Sequence, residues 1–296
     1  MCDNLPVLWL GDKRGNLSDW LTQQWVRTTG RQVNLNDQSW LGGPIGGSRL
    51  IGKEFFANYA KEHSLEMAQD GSRGLIQNFR DLCPHAGVAA GVRDFYERTS
   101  DYELDVWSEW HALFRPFGRA LAALFSRRLQ QLNVPLSSLD TSRGITSAVL
   151  QLREPLSGKV VQTAWVRELV ATKNTLYAGS YSVCHVPGYS GPCVKVVFPL
   201  PNGNAIVLMK PEAHQDGSFS LTSAGERFGD PGFYLVVHEA HGRAWARYVP
   251  SLKETIRVYD SGQDAVRTDH VLRLWGVEFL RLHYRMRIVS KVQAGP

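Results

Sequence analysis

The stretch SDYELDVWSEWHALFRPFGRALAALFSRRLQQLNVP, residues 100–135, divides the chain. Before it the sequence reads as short helices and loops; after it, as strands and turns. Ser100 and Glu103 stand three apart, the spacing of a helix capping box. Leu104, Trp107, His111 and Phe114 then recur at threes and fours and would share one helical face. Pro116 predicts a kink or break near Phe114. A second helix is expected beyond it, with Leu121, Leu124, Phe125, Leu129 and Leu132 on one side and Pro135 as its stop. Two amphipathic helices this aromatic need a large apolar partner surface, which the strand-rich half would supply.

After a polar connector, LSSLDTSRGIT, strand signals repeat. They cover residues 146–152, 160–169, 175–186, 193–200, 205–209, 219–223, 233–239, 244–249, 254–259, 266–275 and 278–286. Between them lies turn chemistry: SGK, PGYSG, PNGN, QDGS, FGDPG, AHGR and SGQD. A succession of antiparallel strands must dispose of its edges, and closure is the simplest way. The expected fold class is therefore α+β: a large antiparallel β-barrel or strongly curved sheet, preceded and covered by N-terminal helices. Two domains are expected, an irregular helical and α/β segment over 1–84 and helices plus a barrel over 85–296. In the first, helices are expected around Leu17, Leu21 and Trp25, around Ile51, Phe55 and Tyr59, and over 74–83. A further one carries Val92, Phe95 and Tyr96. The glycine loop GGPIGG lacks the spacing of a dinucleotide fingerprint and the lysine of a P-loop, so it reads as a turn.

At 296 residues the chain can bury a full core. It is 43% hydrophobic and 21% charged, with a net charge of +5 spread along the sequence. No basic stripe with interleaved aromatics is present, so nucleic-acid binding is not expected. No apolar run approaches the ~20 residues of a helical membrane span, and the N-terminal residues do not read as a secretory leader. Four cysteines in such a chain suggest reduced thiols and a cytoplasmic location. Cys184 and Cys193 bracket the turn HVPGYSGP and would lie opposite each other on a hairpin, where a disulfide is possible in geometry but argued against by the expected reducing compartment. No metal site and no cofactor are expected.

Alternation assigns the strand faces. Trp165 and Arg167 share one side with Val161 and Thr163; Tyr177 and Tyr181 share a side of the next strand. Such aromatic and polar mixtures line ligand pockets, and they also occur on exposed sheets with cross-strand aromatic pairs. The candidate ligand-binding residues are Trp107, Arg143, Trp165, Arg167, Tyr177, Tyr181 and Arg247. Arg143 and Arg247 are the cations expected to meet an anionic group or Asp105. Asp105 and Glu109, four apart on a predicted helix, could form a carboxylate pair or a solvated face. His111, Asp105 and His283 are the acid–base candidates. The sequence HEAH at 238–241 is not the zincin spacing and reads as a turn.

The segments FYERTSDYELDVWSEW, RRLQQLNVPLSSLDTSRG, FGDPGFY and VRTDHVLRLWGVEFLRLHYRM resemble uncharacterised bacterial proteins of unknown function over about residues 88–287. The last of them is similar to the end of a domain of unknown function that occurs fused to dinucleotide-binding, epimerase-like domains. The resemblance implies no catalytic residues. The expected function is a cytoplasmic protein binding an apolar or amphipathic small molecule, lipid or polyketide-like, in a barrel cavity. The alternatives are an isomerase, cyclase or hydrolase using that cavity, and a protein–protein module with a solid barrel.

Overall fold

The computed structural model describes residues 17–47, 51–68, 71–84, 87–110, 145–169, 175–239, 243–262 and 265–288. Three helices are present among them: α1 (Leu17–Thr29), α2 (Lys53–Glu62) and α3 (Ala90–Glu97). The strands are β1 (Arg31–Val33), β2 (Glu66–Ala68), β3 (Tyr102–Trp110), β4 (Ile145–Arg153), β5 (Val160–Leu169), β6 (Thr175–Val186) and β7 (Tyr189–Leu200). They continue as β8 (Gly203–Ala213), β9 (Phe219–Ser223), β10 (Phe233–His238), β11 (Ala244–Tyr248), β12 (Leu252–Asp260), β13 (Ala265–Leu274) and β14 (Val277–Ile288).

The strands join in one antiparallel sheet whose main path is β2-β4-β5-β6-β7-β8-β9-β12-β13-β14-β3. It forks at β8. The first half of that strand pairs with β10, which leads to β11 and β1, and its last four residues pair with β9. The described pairings do not close the path into a barrel, so of the two expected forms the curved sheet is the one observed. The curvature is strong. Arg167 on β5 and Tyr284 on β14 are seven strand spacings apart along the path, about 33 Å on a flat sheet. Yet the Arg167 guanidinium lies 5.8 Å from the Tyr284 ring centre. The sheet therefore curls until strands from its two arms face each other across one core.

That core holds Val149, Trp165, Val196, Phe198, Val207, Phe219, Val258, Val266 and Met286 from the concave face. Val92, Phe95 and Tyr96 of α3, with Leu75, Ile76 and Phe79 ahead of it, pack into the same cluster. The apolar stripe expected for α3 is thus the stripe it buries. On the convex side α2 covers β4–β6 through Phe56 and Ala60, which meet Leu150, Leu152, Ala164, Val166 and Ala178. The buried positions of α2 are Phe56 and Ala60, while Phe55 and Tyr59 are partly buried beside them. Trp40 and Leu41 cover β7, β8 and β10 through Val197, Ile206, Leu208 and Tyr234. Residues 74–83 form only a short 3-10 turn at Phe79–Asp81.

The largest correction concerns the helix expected from Ser100. Tyr102–Trp110 is an extended strand, paired with β14 from Tyr102↔Ile288 to Trp110↔Leu280. The hydroxyl expected to cap a helix instead accepts a hydrogen bond from the Arg73 amide at 2.8 Å. Read at period two, YELDVWSEW puts Glu103, Asp105, Trp107 and Glu109 on one face and Leu104, Val106, Ser108 and Trp110 on the other. Exposure alternates residue by residue in the same way. The helical spacing of Leu104 and Trp107 was coincidental, and pairing with β14 decided the matter. The second expected helix, near 117–134, lies outside the described residues.

Candidate functional site

Four of the candidate ligand residues come together on the concave face. Trp165 and Arg167 are two apart on β5, and Tyr177 and Tyr181 are four apart on β6, so each pair points to one side. Thr163↔Tyr181 and Arg167↔Tyr177 are register partners, which seats all four in one patch. The Trp165 indole donates to Ser147 Oγ at 2.7 Å. Its ring meets Tyr177 at 5.6 Å and Tyr181 at 6.1 Å, and Tyr177 meets Phe198 edge-on at 5.5 Å. The Tyr177 and Tyr181 hydroxyls share a hydrogen bond of 2.5 Å.

Arg167 is the chemical centre of this patch. Its residue is 6% exposed. The guanidinium lies 5.6 Å from the Trp165 ring and 5.8 Å from that of Tyr284. Its Nε and Nη2 are buried and have no hydrogen-bond partner among the described residues. Cation–π contacts offset about 1–2 kcal/mol of burial at a desolvated site. Removing a cation from water costs several kcal/mol, so two rings alone leave the charge undercompensated. Burial accordingly pushes the Arg167 pKa down, while the tyrosines 284, 177 and 181 act in the opposite sense.

The tyrosines respond to the same environment. Burial holds the Tyr177 and Tyr181 hydroxyls well above the ordinary phenol range. Burial pushes Tyr284 up to about 12, with Arg167 opposing and Glu254 adding to the rise. At neutral pH all three are neutral hydroxyls around one cation, and the Tyr177–Tyr181 hydrogen bond uses the proton of one of that pair. Tyr284 stacks on His270 at 6.3 Å, and His270 Nε2 stands 3.7 Å from Glu254 Oε2. Tyr284, His270 and Glu254 extend the patch and were not among the sequence candidates. Alternation does place Tyr284 with Leu280, Leu282 and Met286 on the inner side. The available signal was a polar group at an inward position of an otherwise apolar strand.

The remaining candidates lie elsewhere. Trp107 is 44% exposed on the convex face and stacks on His283 at 6.3 Å. His283 Nδ1 is 2.7 Å from Asp269 Oδ1, and its Nε2 is 3.7 Å from Glu109 Oε1. This imidazole between two carboxylates sits on an open strand surface. Asp105 accepts from Arg287 at 3.0 Å. Asp105 and Glu109 share a strand face but stand four residues, about 13 Å, apart, so they form no carboxylate pair. Arg247 donates to the Thr29 carbonyl at 2.6 Å and lies over Trp25 at 5.7 Å. It lines a shallow outer groove with Arg31, Arg227 and Phe228 rather than the Arg167 patch. His111 and Arg143 fall outside the described residues.

No protein-family model matches the chain, and no solved structure matches it significantly. A protein of Bacillus subtilis (strain 168), named as the uncharacterized membrane protein YndJ, is 28% identical over 255 residues. The match takes in 83% of this chain and 43% of that protein, so the chain spans less than half the length of this relative. The expected cytoplasmic carrier of an apolar or amphipathic molecule is corrected by this finding, because the relative is named a membrane protein. The described sheet also does not close around a barrel cavity, and the group at its concave centre is a buried cation. The two alternatives built on the same barrel, an enzyme in its cavity and a solid interaction module, lose that premise too. The likeness to a protein named only as uncharacterised agrees with the resemblance to an uncharacterised bacterial family.

Proposed function

We propose that the chain is a water-facing β-rich domain of a membrane-associated protein, and that its concave face recognises an oxyanion, a carboxylate or phosphate group, through Arg167. The observation behind this reading is the buried guanidinium with Nε and Nη2 unpartnered among the described residues. A planar guanidinium with two free N–H groups suits bidentate recognition of a carboxylate or phosphate. Tyr284 and one hydroxyl of the hydrogen-bonded Tyr177–Tyr181 pair would add neutral donors, and Trp165 would form an apolar wall. The name of the Bacillus relative supports the membrane association. Two features support the water-facing placement. No described helix is long and apolar enough to cross a membrane. The convex face of β3, β13 and β14 is charged, with Asp105, Glu109, Asp269, Arg281 and Arg287 on it. A basic charge on the lipid face of a membrane barrel costs about 2–4 kcal/mol at mid-depth.

The test is a thermal-shift titration of the native chain with inorganic phosphate and, separately, acetate, against chloride at matched ionic strength. A saturable rise in Tm with at least one oxyanion is expected, and Arg167→Gln should abolish it while keeping the far-ultraviolet circular dichroism. At 100 times the Kd the rise corresponds to about 2.7 kcal/mol. Whether phosphate or acetate acts separates a phosphoryl from a carboxylate ligand. No saturable rise with either, or an equal rise in Arg167→Gln, overturns the reading.

A further inference from the structure

Cys184 and Cys193 face each other across the β6–β7 hairpin as register partners. Opposed residues of an antiparallel pair have Cα atoms about 4.5 or 5.5 Å apart and side chains on one face. Both separations fall within the range a disulfide spans. Both thiols are free. They lie on the convex side: Cys193 is fully buried among Trp40, Leu41, Val197 and Tyr234, and Cys184 packs at the margin of that cluster, partly exposed. The opposite, concave face of the same hairpin carries Tyr181, so the pair is separate from the Arg167 patch.

We propose that Cys184 and Cys193 are a reversible dithiol–disulfide pair, oxidised by exchange with a small disulfide. Cys184 is the attacking thiol because it alone of the two reaches solvent. Its thiolate attacks one sulfur of the reagent's S–S bond, forming a mixed disulfide and releasing the first reagent thiolate. Cys193 then attacks the Cys184 sulfur, closing the protein disulfide and releasing the second. Each protein sulfur loses one electron, the reagent gains two, and the two protein thiol protons go to the leaving thiolates.

The charged and titratable neighbours set the rate. Lys195 on β7 bonds the carbonyls of Gly42 and Ser39 at 3.0 and 3.4 Å, and its ammonium favours the Cys184 thiolate. Burial acts against it: the Cys184 thiol is pushed up, and Cys193 is pushed up to about 12 by burial and by Cys184 beside it. Tyr189 lies close enough to Cys193 to feel its charge. Exchange should therefore be slow at neutral pH and accelerate about tenfold per pH unit below the Cys184 pKa, since only the thiolate attacks.

The experiment treats the native chain with oxidised glutathione, quenches with acid, alkylates under denaturing conditions and maps the peptides. The expected product is a 184–193 cross-link with a mass loss of about 2 Da, reversed by dithiothreitol. Cys193→Ser should instead trap one glutathione on Cys184. Unmodified thiols after prolonged treatment at pH 9, glutathione retained on Cys184 in the unsubstituted chain, or a cross-link to Cys83 in its place overturns the proposal. The unsubstituted chain alone decides between these outcomes, so a variant that fails to fold does not obscure the result.

Discussion

Arg167 sits where a hydrophobic side chain would pack more cheaply. Its guanidinium lies over the Trp165 and Tyr284 rings, but two nitrogens without a hydrogen-bond partner among the described residues keep a desolvated charge in the concave core. Replacing a buried charge with an apolar group of similar volume is often stabilising by about 1–4 kcal/mol. Arg167→Met should therefore raise the denaturant midpoint of the anion-free protein by about 1–3 kcal/mol, and lose any response to phosphate or acetate. A gain in stability joined to a loss of binding would mark a residue kept for recognition. A stability loss above about 1 kcal/mol would show that the guanidinium has a structural partner and would count against the anion reading. The tyrosines around it make a pH prediction. In the unfolded chain they ionise near pH ~10, whereas Tyr284 in the fold does so only at about 12. Between those values the native state holds more protons, so stability falls as pH rises. Below ~10 this contribution is fully present. Equilibrium urea melts should be flat in this respect to about pH 9.5 and lose midpoint steadily above it. Tyr284→Phe should shallow that loss.

At the scale of an element, β3 and β14 show how little separates a core position from a surface one. Met286 is 1% exposed in the concave core, and its neighbour Arg287 is paired with Asp105 on the convex surface. Met286→Ala should cost about 2–5 kcal/mol through the cavity it leaves. Arg287→Ala should cost under about 1 kcal/mol, since both partners of its ion pair are half-exposed. Urea unfolding of the two variants checks this, and comparable losses would contradict the strand register. The same pleat explains why residues 102–110 looked helical. Charged residues at 103, 105 and 109 with Trp107 form a strand face, but Leu104, Trp107 and His111 also satisfy a helical spacing. Over nine residues both periods fit, and the choice falls to whichever partner is available. Here it was the unpaired edge of β14.

At the scale of the whole molecule, the convex face is charged on β3, β13 and β14 and covered by α2, Trp40 and Leu41 on the other arm, and the proposed water-facing placement can be tested directly. Expressed alone, the chain should be recovered in detergent-free buffer, with ultracentrifugation leaving it in the supernatant at moderate salt. Recovery only after detergent extraction would overturn the water-facing part of the proposal. The curl also makes the Arg167 centre a property of the assembled sheet. Arg167 and Tyr284 are 117 positions apart in sequence, and nothing local to β5 or β14 brings them together.

Several elements were legible from residue order alone because their chemistry is local. The strands at 160–169, 175–186 and 219–223 were readable to the residue, since turn residues bound them and alternation fills them. The apolar stripe of α3, the pairing of Trp165 with Arg167 and of Tyr177 with Tyr181, and the opposition of Cys184 and Cys193 follow from period two, period 3.6 and hairpin register. What only the tertiary structure decided was long-range. It assigned residues 102–110 to a strand, because a free edge outweighed a marginal helical pattern. It placed Trp107, Asp105 and His283 on the convex side, away from Arg167, because a one-residue step in a strand reverses the face. It brought Tyr284 to the cation, with His270 and Glu254 beside that tyrosine, because sheet curvature is a sum over many strand pairs and leaves no mark on any single segment.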